Sequence, residues 1–94
     1  MNDEAKTKLS QIVPPEVLKD EINLKIIKLL SIKETCGYEL TSKLNANAKN
    51  ISEHIKVLES LGIVKSRREG LRLFYSLANP EIGRIITTLQ EMQK

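Results

Sequence analysis

One mainly α-helical domain, broken once by a two-stranded β-hairpin, is what these 94 residues encode. Three features lead there. Apolar side chains recur every three to four residues over most of the chain, the period changes to two between Ile63 and Ser76, and only 4 Gly and 3 Pro interrupt the pattern. A chain of this length closes a single hydrophobic core, so residues 1–94 are expected to form one domain. That core is aliphatic, because there are 13 Leu and 11 Ile against one Phe, two Tyr and no Trp. Scarce aromatics also disfavour base stacking, and with it single-strand binding.

Ala5, Leu9 and Ile12 repeat at helical spacing and predict a short amphipathic helix over residues 3–12, which Pro14 and Pro15 end. Asp20 is suited to cap the next helix, whose apolar face is Ile22, Ile26, Leu29 and Leu30, widened by Leu24 and Ile27. Residues 34–37 interrupt the periodicity. Residues 38–44 predict a two-turn helix with Leu40 and Leu44 inward, and Asn45-Ala46-Asn47 a tight turn. Asn47 then caps a helix running to about Leu61, with Ile51, Ile55, Leu58 and Leu61 on its buried side and Gly62 stopping it. From Ile63 to Arg68 a strand is expected, Glu69-Gly70 is read as the turn pair, and Leu71, Leu73 and Tyr75 alternate with polar or outward positions in a returning strand. Asn79 and Pro80 start a last helix with the stripe Ile82, Ile85, Ile86 and Leu89.

Charge is uneven along this framework. Residues 41–75 hold 7 basic and 3 acidic side chains, a net +4, whereas residues 1–40 (6 and 7) carry −1 and residues 76–94 (2 and 2) carry none. A basic segment between neutral ones is the footprint of a phosphate-binding face, although an ordinary solvated surface produces the same imbalance. No apolar run is long enough to cross a bilayer, and residues 1–10 lack the apolar centre of a signal peptide, so a cytoplasmic protein without a membrane partner is expected.

Two helices joined by a tight turn over residues 38–61, followed at once by a basic hairpin over residues 63–77, have the arrangement that reads duplex DNA. The second helix presents its N-terminal residues to the major groove, the first braces it, and the hairpin reaches phosphates or a minor groove. With Ile51, Ile55 and Leu58 inward, the outer face carries Lys49, Glu53, Lys56 and Ser60, with Asn50 and Ser52 on its shoulders. The expected DNA-binding set is Thr41, Ser42, Asn47, Lys49, Asn50, Ser52, Glu53, Lys56, Arg67, Arg68 and Arg72. Glu53 has two readings: it accepts a hydrogen bond from a cytosine amino group, or it pairs with Lys49 or Lys56 and never meets DNA.

Residues 17–77 resemble the winged helix-turn-helix core of arsenical-repressor-like (ArsR) regulators. The likeness rests on the segment from Val17 to Leu30, on Ile51-Ser52-Glu53-His54-Ile55-Lys56-Val57-Leu58, on Gly62-Ile63-Val64, and on Arg67 to Leu77. Gly37-Tyr38-Glu39-Leu40 is also similar to the corresponding point of PadR-type regulators. The chain departs from the family pattern at Glu21 and Asn23, where proline and arginine are common, and at Asn45, where a turn glycine is usual. The resemblance implies a sequence-specific transcriptional regulator, by habit a repressor, that binds DNA as a homodimer.

The same resemblance raises metal sensing, which needs several ligands to converge on one ion. With one Cys and one His in the whole chain, and Tyr38 where the sensor motif has its second thiol, no metal and no cofactor is expected. Cys36 is read as a structural thiol, with a dimer-linking or redox-responsive thiol as the alternative. His54 is read as a hydrogen-bonded helix histidine, with a ligand or a phosphate contact as the alternative. No nucleophile set, carboxylate pair or phosphate-cradling loop marks an enzyme. Residues 1–16 and 80–94 are expected to form a two-fold dimer through Leu9, Ile12, Ile82, Ile85, Ile86 and Leu89, placing two reading helices about 34 Å apart on a palindromic operator. The competing class is a winged helix that binds proteins instead of DNA.

Overall fold

Pro15 opens a helix instead of only closing one. The computed structural model describes residues 13–92, and the expected helix over residues 3–12, with Leu9 and Ile12, lies outside them. Helix α1 (Pro15–Lys19) has a proline at its start, where the missing N–H has no intrahelical bond to lose, and it buries Val17. Asp20 serves two helices at once. Its backbone N–H donates to the Val17 carbonyl and closes α1, while its side chain accepts from the N–H groups of Ile22 (2.8 Å) and Asn23 (3.1 Å) and opens α2 (Glu21–Ile32). Helix α2 is the central element and buries Asn23, Ile26, Ile27 and Leu30.

Strand β1 (Thr35–Cys36) follows, a third strand where the sequence indicated a break between helices. It pairs antiparallel with the later β3, Thr35 opposite Tyr75 and Cys36 opposite Phe74, so the sheet has three strands in the order β1-β3-β2. Two residues are too few to display a period of two. Helix α3 (Gly37–Leu44) sends Leu40 into the core and ends on Asn45, which holds the left-handed conformation (φ 53°) that asparagine tolerates better than most residues. Helix α4 (Ala48–Ser60) begins on the Asn47 side chain, which accepts from the Asn50 N–H at 2.7 Å, and turns Ile51, Ile55 and Leu58 inward. Gly62 (φ +75°) terminates it, with the Ile63 N–H donating to the Leu58 carbonyl at 2.9 Å.

Strands β2 (Val64–Glu69) and β3 (Arg72–Leu77) form the wing, with Glu69 opposite Arg72. The connecting residues are therefore Gly70-Leu71, one position later than the expected Glu69-Gly70. Gly70 takes φ +62° at the first central position of a two-residue loop, where glycine is favoured, and Leu71 becomes the tip and not the first inward residue of the returning strand. Helix α5 (Pro80–Met92) is capped by Asn79, whose Oδ1 accepts from the Glu81 N–H at 3.0 Å.

The core lies where α2 meets α3, α4, α5 and the base of the sheet, and it includes Val13, Ile26, Leu40, Ile51, Leu58, Ile63 and Ile82. Ile82, Ile85 and Ile86 all belong to it. Their stripe faces its own chain, because α5 packs on α2, so these three side chains are not free to form the dimer contact expected of them. The approach is close: a Cβ on Gly83 would stand 2.5 Å from the Ser31 Cβ. The Leu89 side chain lies outside the described residues.

Candidate nucleic-acid interface

The outer surface of α4 is polar, as its periodicity predicts. Lys49, Ser52, Glu53 and Lys56 are exposed on it, Asn50 is half-buried, and Ser42 and Asn47 are exposed just before it. Thr41 is half-buried, and its hydroxyl donates to the Gly37 carbonyl at 3.0 Å within α3. Glu53 makes no ion pair with Lys49 or Lys56 among the described residues, so the second of its two readings is not realised in the structure.

His54 joins this helix to the base of α2. Its Nδ1 lies 2.8 Å from the Asn50 carbonyl oxygen and its Nε2 lies 3.1 Å from Oδ2 of Asp20. Both neighbours are oxygen acceptors, so whichever ring nitrogen carries the proton has a partner to donate to. The N-terminal turn of α4 is thereby tied to the residue that caps α2. Hydrogen bonds from the Asn23 and Ile22 amides, together with His54, outweigh burial and hold the Asp20 carboxyl below its ordinary range. His54 is thus a structural tether, the first of the two roles its position suggested.

The wing separates its two neighbouring arginines onto opposite faces. Residues that stand opposite each other across a ladder share a face and successive residues alternate, so Arg67 lies with Phe74 on one side and Arg68 with Leu73 on the other. Tyr75, on the Leu73 side, lines a cavity with residues of α3 and α4, which makes that the inner face. On the outer face all three guanidinium nitrogens of Arg67 donate to carboxylates. Its Nε and Nη2 donate to the two carboxylate oxygens of Glu34 at 2.8 and 2.6 Å, its Nη1 donates to Glu69 at 2.8 Å, and its guanidinium stands 4.9 Å from the centre of the Phe74 ring. These bonds push the Arg67 pKa further up and hold Glu34 below the usual carboxylate range. Arg67, expected from the sequence to contact DNA, is here bonded to Glu34 and so links the residue before β1 to the wing. The cause is Glu34, which lies far away in sequence. By contrast Arg68, Arg72, Lys49 and Lys56 have no acidic partner among the described residues.

Sequence reasoning also missed two exposed apolar side chains beside this face. Tyr38 is 86 % exposed at the start of α3 and Leu71 is 99 % exposed at the wing tip. The one available signal was the glycine before each, which opens a helix in one case and a two-residue loop in the other. Cys36 is a half-buried free thiol at the N-cap of α3. Among the described residues no group of three or more His, Cys, Asp or Glu could hold a metal ion, and no helix is long and apolar enough to cross a membrane.

With the geometry in place, comparison with known proteins bears on it directly. Residues 20–66, spanning the cap of α2 to the start of the wing, match the family described as bacterial regulatory protein, arsR family. The chain belongs to the arsR family. It is 39 % identical over 75 residues to the arsenic resistance transcriptional regulator ArsR2 of Pseudomonas putida, covering 76 % of this chain and 64 % of that protein. It is 29 % identical over 72 residues to a homologue of the cadmium resistance transcriptional regulatory protein CadC from Staphylococcus aureus, covering 76 % of this chain and 60 % of that one. The chain thus spans less than two thirds of the length of either arsR-family relative. A solution structure from Mycobacterium bovis, of a homodimeric winged helix-turn-helix DNA-binding domain, superimposes with a TM-score of 0.78 at 25 % identity over 97 % of this chain and 83 % of the other.

Proposed function

We propose that this arsR-family chain is a transcriptional regulator that binds duplex DNA in the cytoplasm as a homodimer, reading sequence with α4 and holding the backbone with the inner side of the wing. The carrying observation is that, among the described residues, Lys49, Lys56 and the inner-face Arg68 lack acidic partners, as does Arg72 beside the tip, while Arg67 on the outer face is paired with Glu34 and Glu69. Cations without internal partners are available to displace counterions from phosphates. Lys49, Asn50 and Ser52 lie at the start of α4, the end that meets base edges in helix-turn-helix proteins, and Thr41, Ser42 and Asn47 flank them. Glu53, exposed and unpaired, is free to accept from a cytosine amino group.

The homodimer is supported by the homodimeric state of the Mycobacterium bovis domain. Its contacts would come from the ends of the chain, Leu9, Ile12 and Leu89 among them, and not from Ile82, Ile85 and Ile86. Two-fold symmetry makes the operator an imperfect palindrome, and occupancy there represses transcription. A role as an enzyme is disfavoured by the state of the Asp20-His54 pair, since both imidazole nitrogens already face protein oxygens and neither is left to activate a nucleophile. Arsenic and cadmium appear in the names of two relatives, but His54 is occupied and Cys36 belongs to no cluster of ligating side chains among the described residues, so DNA binding is proposed to be independent of metal.

Selection of bound duplexes from a random library, followed by a salt series on the selected site, tests this reading. The expected outcome is a palindromic consensus whose affinity falls steeply as salt rises. No duplex binding at low salt would overturn it and favour a winged helix that binds protein.

A further inference from the structure

We infer that the apolar strip running from Leu71 at the wing tip through Leu73 to Tyr38 is the seat of a deoxyribose-phosphate strand, held by contact with the sugars. The inference rests on the DNA-binding reading above and names contacts which that reading does not contain. Leu71 is 99 % exposed, Leu73 is 40 % exposed and Tyr38 is 86 % exposed. Single exposed apolar residues are ordinary on protein surfaces, but these three line one open cavity of about 610 Å³ together with Arg72 and Tyr75. The chain cannot cover the strip by folding the wing tip inward, because the outer face is fixed to β1 through Arg67 and Glu34.

Two further observations identify the occupant. The cavity continues into a second one of about 350 Å³ through the shared residues Gly37, Tyr38 and Tyr75, and that second cavity reaches Ala48 and Ser52 at the start of α4. The strip therefore leads from the wing tip to the reading residues, the path a backbone takes between a major and an adjacent minor groove. Its charge also fits. Arg72 lines the larger cavity, Arg68 stands across the ladder from Leu73, and no carboxylate lines either cavity. Apolar surface edged by unpaired cations complements a strand in which C–H faces of deoxyribose alternate with phosphates. A second copy of the chain would bring the same cations against these, which opposes it as the occupant.

Leu71→Ser in the full-length chain provides the test, because a side chain exposed to this degree does not support the fold. Binding to a selected duplex is measured by fluorescence anisotropy across a salt series, with sedimentation equilibrium on the same samples. A sugar contact displaces no counterion, so the variant should bind about ten-fold more weakly at every salt concentration with an unchanged salt slope. Equal affinity, or a loss accompanied by a shallower slope, overturns the inference. So does a variant that keeps its DNA affinity but loses dimer mass, which would assign the strip to a second copy. If the unmutated chain binds no duplex, the failure lies with the DNA-binding reading itself; if it binds and Leu71→Ser binds equally, only the strip is misassigned.

Discussion

Arg67 and Arg68 are neighbours in sequence and opposites in state. On the outer face of the wing, Arg67 donates to Glu34 and Glu69 and lies over Phe74, whereas on the inner face Arg68 stands opposite Leu73 with no acid to meet it among the described residues. Identical chemistry is thus divided between an internally paired and an unpaired state by the face on which each side chain falls. The outer face fixes the hairpin to β1. The inner face, which borders α4 at Tyr75, is left with Arg68, which meets no acid among the described residues, and the partly exposed Leu73. Counting arginines on a wing is therefore a poor measure of its DNA contacts; the acids that share their face decide which are available.

The largest effect should come from disturbing the scaffold beneath both faces. Gly83→Ala would drive a methyl into Ser31 of α2, with backbone and not only a flexible tip close behind it, and should lower the free energy of unfolding by about 1–3 kcal/mol in a denaturant titration. Both faces would then weaken together. Unchanged stability would mean that α5 can shift away from α2 at no cost.

Arg68→Ala should separate the faces. Binding to all duplexes should weaken by a similar factor, and the salt slope should become shallower by about 1. A change in the preferred base would instead give Arg68 a reading role. Arg67→Ala should leave the slope as it is and speed amide hydrogen exchange in β1 and β3, because it removes the brace to Glu34. A shallower slope in Arg67→Ala would erase the distinction between the faces.

Acid should have the smallest effect and the clearest sign. The Asp20 and Glu34 carboxyls titrate below their ordinary values in the folded chain, so each contributes stability that is fully present above the unfolded value and is lost as pH falls through the folded one. Stability should be flat near neutrality with respect to these two groups and decline below about pH 4. Asp20→Asn, which retains a capping oxygen, should flatten part of that decline. An unaltered acid limb in this variant would remove Asp20 from the account.

Much of this was legible in the sequence because it is local. Asp20, Asn47 and Gly62 each mark a helix end by their own hydrogen-bonding or conformational preference, and each does so in the structure. The outward face of α4 followed from the spacing of Ile51, Ile55 and Leu58. Other features depend on what lies across space. Pro15 is compatible with ending one helix or starting another, and Thr35-Cys36 becomes a strand only because β3 is there to pair with it. A one-residue choice of turn at Gly70 shifts the pairing across the hairpin and moves Leu71 from strand to tip, while Leu73 and Tyr75 keep the inward face expected of them. The stripe of Ile82, Ile85 and Ile86 showed that α5 needed a cover. Periodicity does not say whether the cover is the same chain, and here it is.

Amide chemical-shift mapping during titration with a selected duplex tests the central claim most directly, because it compares both faces of one hairpin in one sample. The account predicts perturbations at the start of α4, through Lys49, Asn50 and Ser52, and along Arg68, Leu71 and Leu73, with Glu34, Arg67 and Phe74 little changed. Perturbations concentrated on Glu34, Arg67 and Phe74, with the start of α4 silent, would contradict it.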